Sequence, residues 1–211
     1  MKQPEGEFRN RLQTEKKLIN SVGEIIKKHG YIKLNIQNIA KEAGVDRKLV
    51  YNYFGNLDNL VEEYFRTKDY WTALAVEMKS LLTEIDFETL PYEIIRDQYY
   101  FFKNNSEMQN MILWELNENK SFLKEIADYK EKITADLFRM VDPVFENSGI
   151  SIRAVNAILV AAVYYLVIHA KNNGSTICQI DINTEEGEAE LLRTIKQILN
   201  WTYEKALHPS E

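Results

Sequence analysis

Cysteine is nearly missing: Cys178 is the only one in 211 residues. One thiol cannot close an intramolecular disulfide or build a thiolate zinc cluster, and its solitude fits a reducing compartment. Cys178 itself reads as a small buried or loop residue. Glycine and proline are scarce too, at 8 and 4 residues. So little turn-forming material argues against many short strands and favours long helices. Histidine is limited to His29, His169 and His208, far apart in sequence. No HExxH, GxSxG or phosphate-loop pattern occurs, so no catalytic centre, metal site or cofactor is expected and the chain does not read as an enzyme. His29 suits the C-terminal end of a helix, where the dipole favours a cation. His169 reads as a satisfied histidine at a helix interface. The first residues, MKQPEGEFRNRLQTEKK, lack the apolar stretch of a secretory signal, and the expectation is a cytoplasmic protein.

Hydrophobic residues make up 45% of the chain and charged ones 27%, as in a folded globular protein. The length allows one ample core or a small module joined to a larger one. One run, Ala154 to Ala170, carries no charge. At about 1.5 Å per residue it would span roughly 25 Å, short of the ~30 Å hydrocarbon core. It is therefore expected to be buried within protein, with no membrane partner. The net charge of −6 conceals an asymmetry. Residues 1–54 hold eleven Lys and Arg against six Asp and Glu, a net +5, and the remainder holds 15 against 26, a net −11. A basic head on an acidic body suggests that only the head meets an anionic surface.

Helical periodicity dominates, without repeats or low-complexity tracts. Leu18, Ile19, Val22, Ile25 and Ile26 share one face of a first helix that Gly30 ends as a left-handed cap. Asn35 caps a second helix, 36–43, Gly44 breaks it, and Asp46 caps a third over about 47–54. Longer helices follow at about 57–83, 89–104, 106–117, 119–147, 151–172 and 185–206, with breaks at Pro91, Asn104 and Asn105, Asn119, Gly149 and Gly174. Residues 174–183 form the one long loop, whose ICQIDI alternation is at most a short extended piece. The fold class expected is all-α.

Residues 35–54, NIQNIAKEAGVDRKLVYNYF, are the informative segment. A helix-turn-helix needs a small residue where two helices cross, a turn residue tolerant of positive φ, and apolar side chains locking the pair. Ala40 supplies the first, Gly44 the second, and Ile39, Ala43, Val45 and Val50 the third. Arg47, Lys48, Tyr51 and Asn52 are then left to face outward. The Ala–Gly spacing alone also suits a plain helical hairpin. Joined to an amphipathic helix before it, a basic head and a Tyr-rich exit, it reads as a DNA-binding motif.

Residues 15–65 resemble the DNA-binding domain of the TetR family. The likeness is carried by His29-Gly30-Tyr31, by Asn38-Ile39-Ala40-Lys41-Glu42-Ala43-Gly44-Val45, by Val50-Tyr51-Asn52-Tyr53-Phe54 and by Leu60. The resemblance implies a helix-turn-helix domain over 1–55 and a helical ligand-sensing and dimerisation domain over 56–211. It further implies a homodimeric repressor that leaves double-stranded operator DNA when a small, largely apolar effector binds. By position, Gln37, Arg47, Lys48, Tyr51, Asn52 and Tyr53 fall where the family touches bases or phosphates. Arg47 and Lys48 can donate to guanine or phosphate, and Asn52 can read adenine bidentately. Two positions depart from the pattern. Leu49 stands where a small hydroxyl residue is usual, and Leu57 where a phosphate-binding lysine is common; Asn56 could partly replace that contact.

In the acidic body, aromatic and Met residues gather in the middle helices. Gln98, Tyr99, Phe102, Met111 and Trp114 are the candidates for an effector site, Gln98 as the polar handle. The last two helices are the expected dimer surface: the uncharged run, and Leu191, Leu192, Ile195, Ile198, Leu199 and Thr202 at helical spacing. A charge at Val163 or Leu199 is expected to break the pair. The alternatives are a DNA-binding regulator with no small-molecule ligand and an all-helical adaptor.

Overall fold

A computed structural model describes residues 5–67 and 90–208. The described residues form helices α1 (Glu5–His29), α2 (Ile36–Ala43), α3 (Lys48–Phe54), α4 (Leu57–Thr67), α5 (Leu90–Asn104), α6 (Ser106–Asn117), α7 (Ser121–Phe145), α8 (Ile152–Asn173) and α9 (Glu185–Leu207). A single 3₁₀ turn, Tyr31–Lys33, joins α1 to α2. The fold class is all-α. Residues 68–83 of the expected fourth helix lie outside the described residues. The chain divides into two compact units, one of residues 1–70 with 106–127, the other of residues 71–105 with 128–211.

The first unit closes on one apolar cluster. The stripe Leu18, Val22, Ile25 and Ile26 of α1 is buried against Ile39 of α2, Val50 of α3, and Leu60, Val61 and Tyr64 of α4. The same cluster takes Trp114 from α6 and Phe122 and Leu123 from α7. Trp114 stacks on Tyr31 (5.5 Å) and meets Phe122 edge-on (5.3 Å). Helices α1 and α4 cross at Gly23, where a Cβ would fall 2.4 Å from the Tyr64 hydroxyl oxygen.

In the second unit α5 packs on α8 and α9. Pro91 lies in the first turn of α5, where the missing N–H costs no helical bond. A small cluster of Phe145, Ile152, Tyr203 and Ala206 ties the end of α7 to α8 and α9. Asn183 Nδ2 donates to the Ala170 carbonyl (3.3 Å), pinning the α8–α9 connection. In that connection Ile177 and Ile180 exchange two backbone hydrogen bonds around Cys178 and Gln179, both at positive φ (51° and 67°). This one antiparallel bridge is all that the ICQIDI alternation forms, and Cys178 is exposed on its turn.

Helix α8 is less covered than its apolar run suggested. Ile152, Leu159, Val163, Val167 and Ala170 are buried. Ala154, Ala157, Ala161, Ile158 (69% exposed) and Tyr165 (63%) open to solvent at helical spacing. It is 22 residues long with a mean hydropathy of 1.7, and only 22% of that window is buried. Val163 and Leu199 are both buried within the chain itself, so a charge at either would disrupt the protomer first.

Candidate nucleic-acid interface

Local chemistry sets the two short helices of the head. Asn35 Oδ1 accepts from Asn38 N (2.9 Å) and starts α2. Gly44, at φ 67° and ψ 37°, ends it: Val45 N donates to Ala40 O (3.0 Å) and Gly44 N to Lys41 O (3.2 Å), a Schellman pair. A Cβ at Gly44 would meet nothing within 4 Å, so handedness and not space calls for glycine there. Asp46 Oδ1 then accepts from Lys48 N (2.8 Å), while Arg47 already has helical φ and ψ at the N-cap of α3.

The period of α3 sorts its side chains. Val50 is buried, and Leu49, Tyr53 and Phe54 pack on the core, whereas Arg47, Lys48, Tyr51 and Asn52 are exposed, as is Gln37 on α2. Tyr53 alone among the six is half-buried, and its ring carries the Arg11 guanidinium 5.1 Å from its centroid. Leu49 and Leu57 serve as packing side chains on the core rim. Asn56 caps α4 by accepting from Asn59 N (2.8 Å), and Asn59 Nδ2 donates to Phe54 O (2.8 Å), fixing the α3–α4 corner.

Charge pairing sharpens the picture. Lys28 bridges Glu42 (2.9 Å) and Glu24 (3.2 Å), tying α1 to α2; these bonds, to Glu42 first, raise its pKa. Lys120 pairs with Asp58 (3.2 Å). Lys33, Lys41, Arg47 and Lys48 have no carboxylate within salt-bridge distance among the described residues. A face with exposed cations, an amide and a phenol on a short helix can donate both to phosphates and to base edges.

Residues 23–69 match the family of bacterial regulatory proteins called the tetR family. The chain is a TetR-family regulator. The family is one of regulators, not enzymes. No curated protein matches the chain. Solved TetR-like structures align over nearly its whole length. The fatty acid degradation regulator FadR from Bacillus halodurans is 17% identical with a TM-score of 0.59, covering 93% of this chain and 99% of that one. FadR from Bacillus subtilis, solved in complex with stearoyl-CoA, is 16% identical at a TM-score of 0.58, covering 87% and 96%. NalD, the secondary repressor of the MexAB-OprM multidrug efflux pump in Pseudomonas aeruginosa, is 16% identical at 0.57, covering 89% and 96%. At such identities the likeness is one of fold.

The effector candidates of this TetR-family chain are distributed between the two units. In the second, Gln98 Nε2 donates to Tyr164 Oη (2.8 Å), and Phe102 lies 4.5 Å from the Tyr164 ring. Tyr99 Oη donates to Glu188 (2.9 Å), which also holds Lys103 Nζ. Burial, and then the Glu188 carboxylate, push the Tyr99 phenol far above its ordinary pKa. Burial alone would raise Glu188, but hydrogen bonds from Lys103 and Tyr99 bring it below the usual carboxylate range. Met111 and Trp114 belong to the first unit, and Trp114 is part of its core. Tyr164 and Glu188 escape a sequence reading because they lie 66 and 89 residues from their partners. The only signals were an aromatic in an uncharged run and an acid in a first turn. His29 ends α1 on its exposed side, and His169 stacks on Tyr165 (5.8 Å). Its buried Nδ1 has no hydrogen-bond partner among the described residues. No group of His, Cys, Asp or Glu among the described residues could hold a metal.

Proposed function

We propose that this protein is a homodimeric transcriptional repressor that binds an inverted-repeat operator through α2 and α3 and leaves it when a small, largely apolar ligand occupies the second unit. The observation that carries the DNA reading is the exposed set Gln37, Arg47, Lys48, Tyr51 and Asn52, held by a packed opposite face inside the segment that matches the family. Arg47 and Asn52 read base edges, and Lys48, Tyr51 and Tyr53 hold phosphates. Such a partner places the protein in the cytoplasm.

The open stripe of α8, continued by Trp201 (58% exposed) on α9, is the surface for a second copy. A monomer would leave that apolar face in water. For the effector, Gln98, Tyr99 and Phe102, with Tyr164, combine aromatic walls and a polar handle. The stearoyl-CoA bound to Bacillus subtilis FadR makes a long acyl chain the first class to try. Release follows from linkage: a ligand that prefers a dimer arrangement unfit for two successive major grooves weakens DNA binding by its differential affinity.

Selection from random duplexes, with binding of the winners at two salt concentrations, tests the reading. An enriched inverted repeat with salt-dependent affinity is expected. The absence of any enriched repeat, or affinity indifferent to salt, would overturn it.

A further inference from the structure

Helix α1 begins well before the family-matched segment, which starts at residue 23, and the added turns carry charge. Its core stripe runs Leu18, Val22, Ile25 and Ile26; stepping back by seven from Leu18 and Val22 gives Arg11 and Glu15. These two continue the buried stripe past the rim of the core, where apolar residues would face water. Arg11 Nε donates to Glu15 Oε1 (2.8 Å), and the guanidinium lies over the Tyr53 ring at 5.1 Å. Its side chain is 48% exposed, and among the described residues its two terminal nitrogens donate to no acceptor.

We infer that Arg11 is a phosphate-binding residue of the operator interface, held beside the recognition helix by Tyr53 and Glu15. The inference rests on the DNA-binding reading above and adds a contact from outside the helix-turn-helix. Tyr53 directly follows Tyr51 and Asn52, so a cation on its ring flanks the C-terminal half of α3. When a helix enters the major groove, the groove's phosphate rims run along its flanks. Two fixed points, one bond to Glu15 and one ring face, restrict the guanidinium while leaving Nη1 and Nη2 for a phosphate, which a planar fork fits bidentately. Glu15 uses its carboxylate on Nε, the nitrogen least suited to reach past the ring.

The test compares wild type, Arg11→Ala, Arg11→Lys and Arg9→Ala on a selected duplex and on a mixed-sequence duplex of equal length. Arg9 is exposed and lies about 200° around the helix from Arg11. Arg11→Ala is expected to weaken both complexes alike without changing the melting temperature. Its ratio to wild-type affinity should shrink about eightfold for each tenfold rise in salt, as for one phosphate lost. Arg11→Lys should restore most of that slope, and Arg9→Ala should keep the wild-type slope. Weaker binding at an unchanged slope would mean that Arg11 only props Tyr53, and equal slope losses in Arg9→Ala and Arg11→Ala would mean unspecific charge; either overturns the inference alone. Wild type that binds neither duplex overturns the DNA-binding reading and this inference together.

Discussion

Arg47 and Lys48 are neighbours at the start of α3, both exposed and both without a carboxylate partner among the described residues. Their removal should nevertheless look different. Lys48→Ala is expected to weaken binding to every sequence and lower the salt slope by about one. Arg47→Ala or Asn52→Ala should cost about 1 to 3 kcal/mol and relax preference at one base pair. Isotherms on the selected duplex and its single-base variants, at several salt concentrations, distinguish the two signatures. Glu107 makes a separate statement about stability. It is 2% exposed, with Lys27 Nζ at 3.5 Å. Burial raises its pKa, and the Lys27 attraction offsets this only in part. A carboxyl whose folded pKa is raised binds its proton more tightly in the folded state. Its contribution is fully present below the unfolded pKa and is lost as pH rises through the folded value. Glu107→Gln should therefore match wild type in acid and exceed it in stability as pH rises to neutral. A denaturant midpoint difference independent of pH would contradict that assignment.

At the scale of helices, most ends follow from short-range chemistry and were legible in the sequence. Asn35 and Gly44 bound α2 as expected because a side-chain oxygen and a positive φ are local requirements. Leu18 to Ile26 predicted the buried face of α1 because period alone fixes it. Gly187 was not legible. Its Cβ would sit 2.1 Å from the Asp181 carbonyl oxygen, a closeness created when the α8–α9 loop folds back onto the first turn of α9. Asp181 cannot easily yield, since its carbonyl also accepts from Thr184 N (3.1 Å) and Thr184 Oγ1 (2.8 Å). Gly187→Ala is expected to cost about 1 to 3 kcal/mol in chemical denaturation, the range for forced overpacking. Equally hidden were Tyr164 and Glu188 as partners of Gln98 and Tyr99, since long-range pairing leaves no periodic trace. The open face of α8 directs a second test. Ile158→Asp should keep the helical signal and melting cooperativity while halving the mass in sedimentation. A variant still dimeric at tens of micromolar would exclude this face as the interface.

For the whole molecule, effector and operator must be linked reciprocally. A ligand that weakens operator binding by a coupling of about 1 to 3 kcal/mol is itself bound that much less well by the operator complex. Titrating a long-chain acyl thioester against free protein and against the complex should give dissociation constants that differ by the factor lost in DNA affinity. Equal constants would exclude that class as the effector.

The first unit also has a temporal consequence. Its core cluster joins Leu18 and Val22 to Trp114, Phe122 and Leu123, so the contacts beneath the helix-turn-helix are complete only when more than half the chain exists. Domains fold as units during synthesis, N-terminal ones first. Here the head is made first but closes late, and a nascent chain halted after α4 would expose Leu60, Val61 and Tyr64 without their later cover. Growing chains of this regulator therefore reach the length of a DNA-binding domain before they hold its finished core, which delays operator occupancy until the sensor helices have begun to follow.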